Sequence, residues 1–362
     1  MKDGLSPQVQ LMRFILAKWI GKPIYIAAEL GVADILADGP KSVEELARIT
    51  GTHRPSLYRV MRALASVGIF SEGENQRFEL TSMASLLRNG FLRAAALTFN
   101  AEWNDKAWMG LLEGVKKGST PFQEVYGMPF GDWLERNPGH AALLSQANAV
   151  KAAQSHRAVV EVYDFSGFRT LTDVGGGYAV LLAEILAAYP SLKGIVADLA
   201  SVIPGARKTI EERGIEDRCT VVECDFFKTI PAGSDAYLLS HVLHDWPEEQ
   251  AKSILEKCRR AMRPGSKLLI VEMVVPPGNE ASIAKLLDLE MLVVTGGRER
   301  TEGEFRALLG SAGFCLHRII PTDQGICVLE GIPGKTQALR CSRSPIRRTS
   351  SRRRSKSSRR LR

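Results

Sequence analysis

The stretch Asp173-Val174-Gly175-Gly176-Gly177-Tyr178-Ala179 sets three glycines between two patterned segments. Leu171 to Val174 is an apolar run that suits a buried strand, and Ala179 to Ala188 carries apolar residues at helical spacing. Glycine lets a backbone turn sharply and approach a ligand with no Cβ in the way, and the helix N-terminus offers unpaired N–H groups to that ligand. From Thr170 onward the pattern repeats. Residues 171–174, 194–197, 219–223, 236–239, 267–271, 315–319 and 326–329 read as strands, with helices between most of them and short Gly/Pro turns. The alternation predicts a parallel, doubly wound α/β sheet, which binds its ligands at the carboxyl ends of the strands.

The kind of ligand follows from what the turn lacks. A dinucleotide fingerprint needs Gly or Ala three residues after its second glycine, where this chain has Val180, and the Gly-Lys-Ser/Thr ending of a P-loop is absent. The acid immediately before the glycines, Asp173, suits a cofactor with a cationic amino-acid end and no phosphate. S-adenosylmethionine is the common one. Asp198, 21 residues beyond Gly177, stands where such a sheet sets an acid against ribose hydroxyls, and Asp225-Phe226 offers an acid and a ring to adenine. A glycine-rich turn with no ligand is the plain alternative for the turn alone; three acids on successive strand ends are far more specific.

After the fourth strand the chain reads Ser240-His241-Val242-Leu243-His244-Asp245-Trp246-Pro247-Glu248. His244 then lies in a strand-to-helix loop on the cofactor edge, and an imidazole with a reference pKa of ~6.5 accepts a proton near neutral pH. Packing or solvent exposure accounts equally well for a lone loop histidine. Two acids can orient it, Glu272 at the end of the fifth strand and Glu299 in Gly296-Gly297-Arg298-Glu299-Arg300-Thr301, because a carboxylate on one ring nitrogen leaves the other to accept a proton. Both can also be surface charges.

The first half is helical. Apolar residues from Leu11 to Ala37 predict two or three helices separated near Gly21 and Gly31. Ser42 and Glu45 form a capping box, a helix follows Thr52 and stops at Gly68, and residues 69–72 and 77–80 flank a turn. Helix, helix, hairpin is a winged-helix order. Arg54, Arg59 and Arg62 form no basic recognition cluster, so an interaction domain is preferred to DNA binding. Residues 82–163 read as mostly helical and rich in aromatics, which more often make core than a ligand box.

Charge and cysteine usage narrow the class. The net charge of +8 comes from residues 335–362, which hold twelve of the 48 Lys and Arg and no acid, leaving 36 basic against 40 acidic residues elsewhere. The body of the chain is therefore not a nucleic-acid binder by charge. Six cysteines without CxxC spacing read as free thiols in a reducing compartment, and with no long apolar run and no signal-peptide pattern the expected location is cytoplasmic.

These motifs together resemble the small-molecule O-methyltransferases of the caffeic acid and hydroxyindole type. The resemblance rests on Leu-Ala-Ser-Val-Gly-Ile-Phe at 64–70, Asp-Val-Gly-Gly-Gly at 173–177, Asp225-Phe226-Phe227, Leu243-His244-Asp245-Trp246, Val271-Glu272, and the 296–301 stretch with Phe305, Leu308 and Ala312-Gly313-Phe314, spanning residues 10–332 in order. It implies a winged-helix-containing dimerisation domain over 1–90, a bridging helical region over 91–165 lining the substrate pocket, and a Rossmann-like S-adenosylmethionine-binding domain over 166–332. A basic Ser/Arg-rich segment, 333–362, follows; it cannot bury a core and is read as a gene-model or splicing artefact ahead of an RNA- or phosphorylation-responsive extension.

By the same resemblance His244 is the general base flanked by Glu272 and Glu299, and Asp173, Gly175, Gly177, Asp198, Asp225, Phe226 and Ser240 bind the cofactor. Leu144, Asn148 and Lys151 line the substrate pocket, and no metal is implied. The chain departs from the pattern at Ala179, often glycine in relatives, at Ser240, often lysine, and at Asn148 and Lys151, which imply a more polar acceptor pocket than in plant phenylpropanoid enzymes. The expected function is methylation of a hydroxyl on an aromatic small molecule in secondary metabolism, by a homodimer. A methyltransferase-fold enzyme with another reaction and a winged-helix nucleic-acid-binding protein are the alternatives.

Overall fold

The computed structural model describes residues 5–334, and the side chains of Phe91 and of residues 145–154 lie outside the described set, as does the basic tail. The N-terminal helices Lys18–Glu29, Val43–Thr50 and Arg54–Ser66 bury Ala27, Leu46, Leu57, Met61 and Leu64 against Phe70 and Phe78 of a hairpin. Its strands, Phe70–Glu72 and Arg77–Leu80, pair antiparallel, and Lys41–Ser42 adds a third. Ser42 and Glu45 close the expected capping box. Arg54 pairs with Glu44 and donates to Gln76, and Arg62 lies over the Tyr58 ring, so two of the three arginines on the would-be recognition helix are engaged by their own chain.

The break expected near Gly21 is displaced. Helix Pro7–Ile15 ends before Leu16, and Lys18–Glu29 runs through Gly21 without interruption. A Cβ on Gly21 would sit 2.7 Å from Asn100 Oδ1, so this glycine serves close packing rather than a stop. Gly31 does stop its helix, in the left-handed conformation at φ 62°.

The aromatic residues of the bridging region pack on one another. Trp103, Phe122, Phe130 and Trp133 lie with ring centroids 5.1–6.2 Å apart, joined by Val293 and Val294 of helix Ile283–Val294. On that helix Glu290 accepts hydrogen bonds from Asn104 Nδ2 at 2.5 Å and Trp108 Nε1 at 2.7 Å, which fastens the helical region to the sheet domain. The 25-residue helix Pro138–Val162 spans both: Leu143 packs on the N-terminal core, and Val159 packs in the sheet core.

The sheet has seven strands: β1 (Thr170–Val174), β2 (Lys193–Asp198), β3 (Cys219–Glu223), β4 (Ala236–Ser240), β5 (Lys267–Glu272), β6 (Phe314–Pro321) and β7 (Cys327–Pro333). Their order is β6-β7-β5-β4-β1-β2-β3. All seven match the strands expected, but the sheet is not wholly parallel. β7 runs antiparallel to β5 and to β6, because the β6–β7 link, residues 322–326, is far shorter than the dozen residues a parallel crossover needs. Side chains alternate between two buried faces, as with Leu269 on one and Leu268 and Ile270 on the other. Both faces being covered, the central strands are apolar throughout. Strand order reverses between β1 and β4, and the crevice at their carboxyl ends is where such sheets bind ligands. No helix among the described residues is long and apolar enough to cross a membrane.

Candidate active site

The glycine turn leaves β1 at this crevice. Gly175 and Gly177 have φ of 68° and 56°, and a Cβ on Gly175 would lie 3.0 Å from Val242 Cγ2 and 3.5 Å from Phe226 Cε1. The turn after β1, the loop after β3 and the loop after β4 therefore meet at one point. Asp198, at the end of β2, joins them: its Oδ2 accepts the Gly177 N–H at 2.8 Å and its Oδ1 the Leu199 N–H at 2.7 Å. Asp225 is partly exposed, accepts the Phe227 N–H and pairs with Lys228, which holds its carboxyl below the ordinary range. Ser240 is half-buried at the end of β4.

Asp173 is 1% exposed, and its Oδ1 has no hydrogen-bond partner. Burial, with the charge of Asp198, pushes its carboxyl up to about 7. A Cβ on Gly176 would fall 2.8 Å from the Asp173 carboxyl carbon, so that glycine lets the turn fold down over the acid.

Across the crevice, the turn Leu243–Asp245 presents His244. Its Nδ1 lies 2.7 Å from Glu299 Oε1, and its backbone N–H donates to Glu272 Oε1 at 3.1 Å. The two acids thus divide the work expected of either: Glu299 holds the ring and Glu272 the backbone. With Nδ1 committed, Nε2 is the ring nitrogen available to a ligand, and Asp245 Oδ1 lies 3.7 Å from it. Burial disfavours the imidazolium, but the carboxylates of Asp245, Glu299 and Glu272 outweigh it and push His244 up to about 9. Burial raises Glu272 to about 7 despite the opposing charge of His244.

Several features of the site were not foreseen. The short parallel pairing of Val274–Val275 with Arg300–Thr301 brings Glu299 beside the end of β5, where Glu272 sits. Asp288 Oδ1 accepts the Glu299 N–H at 2.9 Å. A Cβ on Gly297 would lie 1.9 Å from the His244 carbonyl oxygen, so only glycine permits this approach, and the Arg298 N–H donates to that same oxygen at 2.8 Å. Arg300 is wholly buried behind the His244 turn. His241 adopts φ 52°, with its ring centroid 5.4 Å from that of His244. One local signal was readable: Thr301-x-x-Glu304 is a capping box, observed as such, which fixes Arg300 just ahead of a helix. Of the expected pocket residues, Leu144 is half-buried on helix Pro138–Val162, while the side chains of Asn148 and Lys151 lie outside the described residues.

Comparison with known proteins accords with this geometry. An O-methyltransferase domain matches residues 108–315, and an O-methyltransferase dimerisation domain matches residues 12–90. The chain belongs to the O-methyltransferase family. This O-methyltransferase is 42% identical to a phenazine O-methyltransferase of Lysobacter antibioticus, over 89% of this chain and 95% of that one. The mitomycin 7-O-methyltransferase MmcR superposes with a TM-score of 0.87 at 33% identity, over 90% of this chain and 98% of that one. NcsB1 from neocarzinostatin biosynthesis, solved with S-adenosylmethionine and 2-hydroxy-5-methyl naphthoic acid, superposes at 0.78 with 29% identity, over 86% and 95% of the chains. The family's methyl donor is S-adenosylmethionine. The residues of this chain fit it: Asp173 Oδ1, Glu272 Oε2 and Glu299 Oε2 are buried acceptors without partners at one strand edge, an environment that favours a cation and repels phosphate.

Proposed function

We propose that this O-methyltransferase methylates a hydroxyl on an aromatic small molecule of secondary metabolism, with His244 as general base. The supporting observation is the 2.7 Å contact of His244 Nδ1 with Glu299, which fixes the tautomer and turns Nε2 to the acceptor. An aromatic acceptor is favoured by the phenazine, mitomycin and naphthoate chemistry named for the relatives.

S-adenosylmethionine, when bound, supplies an electrophilic methyl group. In the proposed site Gly175 and Gly177 give the backbone its close approach, Asp198 takes the ribose hydroxyls, and Asp225 and Phe226 take the adenine, with Ser240 alongside. Asp173 sets the negative charge beneath the turn. Leu144, Asn148 and Lys151 are assigned to the acceptor wall. His244 Nε2 takes the hydroxyl proton as the oxygen attacks, and Glu299 stabilises the imidazolium that forms. Holding the two reacting atoms in line supplies much of the rate.

The enzyme is proposed to act as a homodimer through its N-terminal domain, whose Leu11, Met12, Phe14 and Trp19 are exposed apolar residues within or beside the matched dimerisation segment. The deciding assay follows methyl transfer from labelled S-adenosylmethionine to a panel of phenols and hydroxylated polycyclic aromatics. A His244→Ala variant as active as the wild type would remove the base from the reading.

A further inference from the structure

Arg300 presents an unusual balance of contacts. It is the largest fully buried side chain of the described residues, yet the acid it hydrogen-bonds among them, Glu248 at 3.3 Å, is 48% exposed at the surface, while Glu272 and Glu304 feel its charge without bonding to it. A surface pair of that kind contributes little and does not account for burying a guanidinium. Its other hydrogen bonds among the described residues go to backbone carbonyls. Nη1 donates to Leu243 O at 2.9 Å and to Arg298 O at 3.4 Å, and Nη2 donates to Trp246 O at 3.2 Å. Leu243 and Trp246 bracket the turn that carries His244 and Asp245; Arg298 immediately precedes Glu299.

We infer that Arg300 is a positioning residue that fixes the separation of His244 and Glu299 by tying the turn of one to the strand of the other. Three carbonyls aimed at one planar fork are satisfied together only by a guanidinium. Lysine carries the same charge on a flexible stem and a single nitrogen, and cannot span both ends of the turn and the neighbouring strand. The Gly297 approach and the Arg298 N–H to His244 O bond fasten the same two segments from the other side, so the pair is held between two sets of backbone contacts. Arg300 touches neither the ring of His244 nor the carboxylate of Glu299, and acts through the backbone of both.

The charged and titratable groups around the imidazole are Asp245 on its own turn, Glu272 at the end of β5, Glu299 on the Arg300 strand and His241 across the loop. Arg300→Lys keeps the positive charge near all of them. Any change in the titration of His244 in that variant therefore reports geometry rather than lost charge.

The inference rests on the reading of His244 as base, and two readouts separate their failures. The first is the downfield proton resonance of His244 Nδ1–H, which reports the bond to Glu299 whatever the ring does in catalysis. In Arg300→Lys it should move upfield or broaden, and an unchanged resonance overturns the inference. The second is the steady state with an accepted phenol. A displacement of about an ångström at the base costs on the order of 100-fold, so kcat should fall about 10- to 100-fold, with the acceptor KM and the affinity for S-adenosylhomocysteine within about twofold. The pH limb of kcat/KM should move to lower pH as the Glu299 bond weakens. A kcat within twofold of wild type, or a limb that stays in place, overturns the inference as well.

Should Arg300→Lys not fold, Glu248→Ala leaves the guanidinium on its three backbone carbonyls, so the same resonance should stay in place. A shift there would show that the surface pair rather than the carbonyls sets Arg300, and overturns the inference.

Discussion

His244 Nδ1 and Glu299 Oε1 lie 2.7 Å apart although 55 residues separate them in the chain. Because the carboxylates around the ring hold the imidazole at about 9, most His244 in the free enzyme is protonated at neutral pH. A base works only when deprotonated. kcat/KM, which reports groups of the free enzyme, should therefore rise with pH to a plateau above about 9. Glu299→Gln removes one of the charges that raise the imidazole and frees the ring to rotate. The limb should then move to lower pH while kcat falls by roughly 10²–10⁴. Rate profiles of the two enzymes against pH decide this, and coincident limbs would show that Glu299 does not govern the base.

Asp173 gives a prediction about stability. Its carboxyl is raised from an ordinary value to about 7, so the folded state holds its proton more tightly than the unfolded chain. For a raised carboxyl, the stabilising contribution is complete below the unfolded value of ~3.9 and is lost as pH rises through about 7. Asp173→Asn should therefore exceed wild type in Tm by an amount that grows across this window and then levels off. Three units bound the gain at about 4 kcal/mol. His244, raised to about 9, also weakens the wild type as pH rises, but it is common to both proteins and cancels in the difference. The same variant should bind S-adenosylmethionine more weakly, by calorimetry. A variant that gains no stability at pH 8 would show the acid to be compensated in the fold.

How much of this was legible in the sequence follows from the distance over which each signal acts. The strands, the Gly175 turn and the capping box at Ser42 are written in neighbouring residues, and they came out as expected. Gly21 reads locally as a helix stop, yet its role depends on Asn100, which the local pattern does not contain. The antiparallel β7 depends on the shortness of a single loop rather than on its own apolar run. In the site, Glu272 and Glu299 were recognisable as acids near the right strand ends, but which one meets the ring and which the backbone is decided by the pairing of Val274 with Arg300. Arg300 passed unnoticed because an arginine beside a glutamate looks like a surface charge.

Ala179 replaces a glycine that the resemblance leads one to expect, and it adopts φ 63° while fully buried. The left-handed conformation costs an L-residue roughly 1–2 kcal/mol. Glycine would relieve that strain, but it would forfeit a buried methyl worth about 0.8 kcal/mol and some 0.5–1 kcal/mol of chain entropy. These terms nearly cancel, which explains how the turn tolerates alanine. Ala179→Gly should change stability by less than about 1 kcal/mol in urea unfolding, whereas Ala179→Val, β-branched and overpacked, should lose about 2 kcal/mol or more. Equal effects from the two would mean that the turn yields to a larger side chain.

Gly297 sets the closest backbone approach in the site. A Cβ there would meet the His244 carbonyl oxygen at 1.9 Å, the Asp245 carbonyl carbon at 2.5 Å and the Trp246 nitrogen at 2.8 Å. None of these is the end of a flexible side chain, so Gly297→Ala must separate the two backbones by about 1.5 Å or more to reach ordinary van der Waals contact. That separation breaks the Arg298 N–H to His244 O bond and draws Glu299 away from the imidazole. The glycine turn after β1 is built from a different loop and stays in place. Gly297→Ala should therefore bind S-adenosylhomocysteine within about twofold of wild type and lose at least roughly 100-fold in kcat, since the scale for a one-ångström misplacement is already about that large. Calorimetry and steady-state rates on the same preparation separate the two effects. A parallel loss of cofactor affinity would mean that the 296–299 loop supports the cofactor half of the crevice as well as the base.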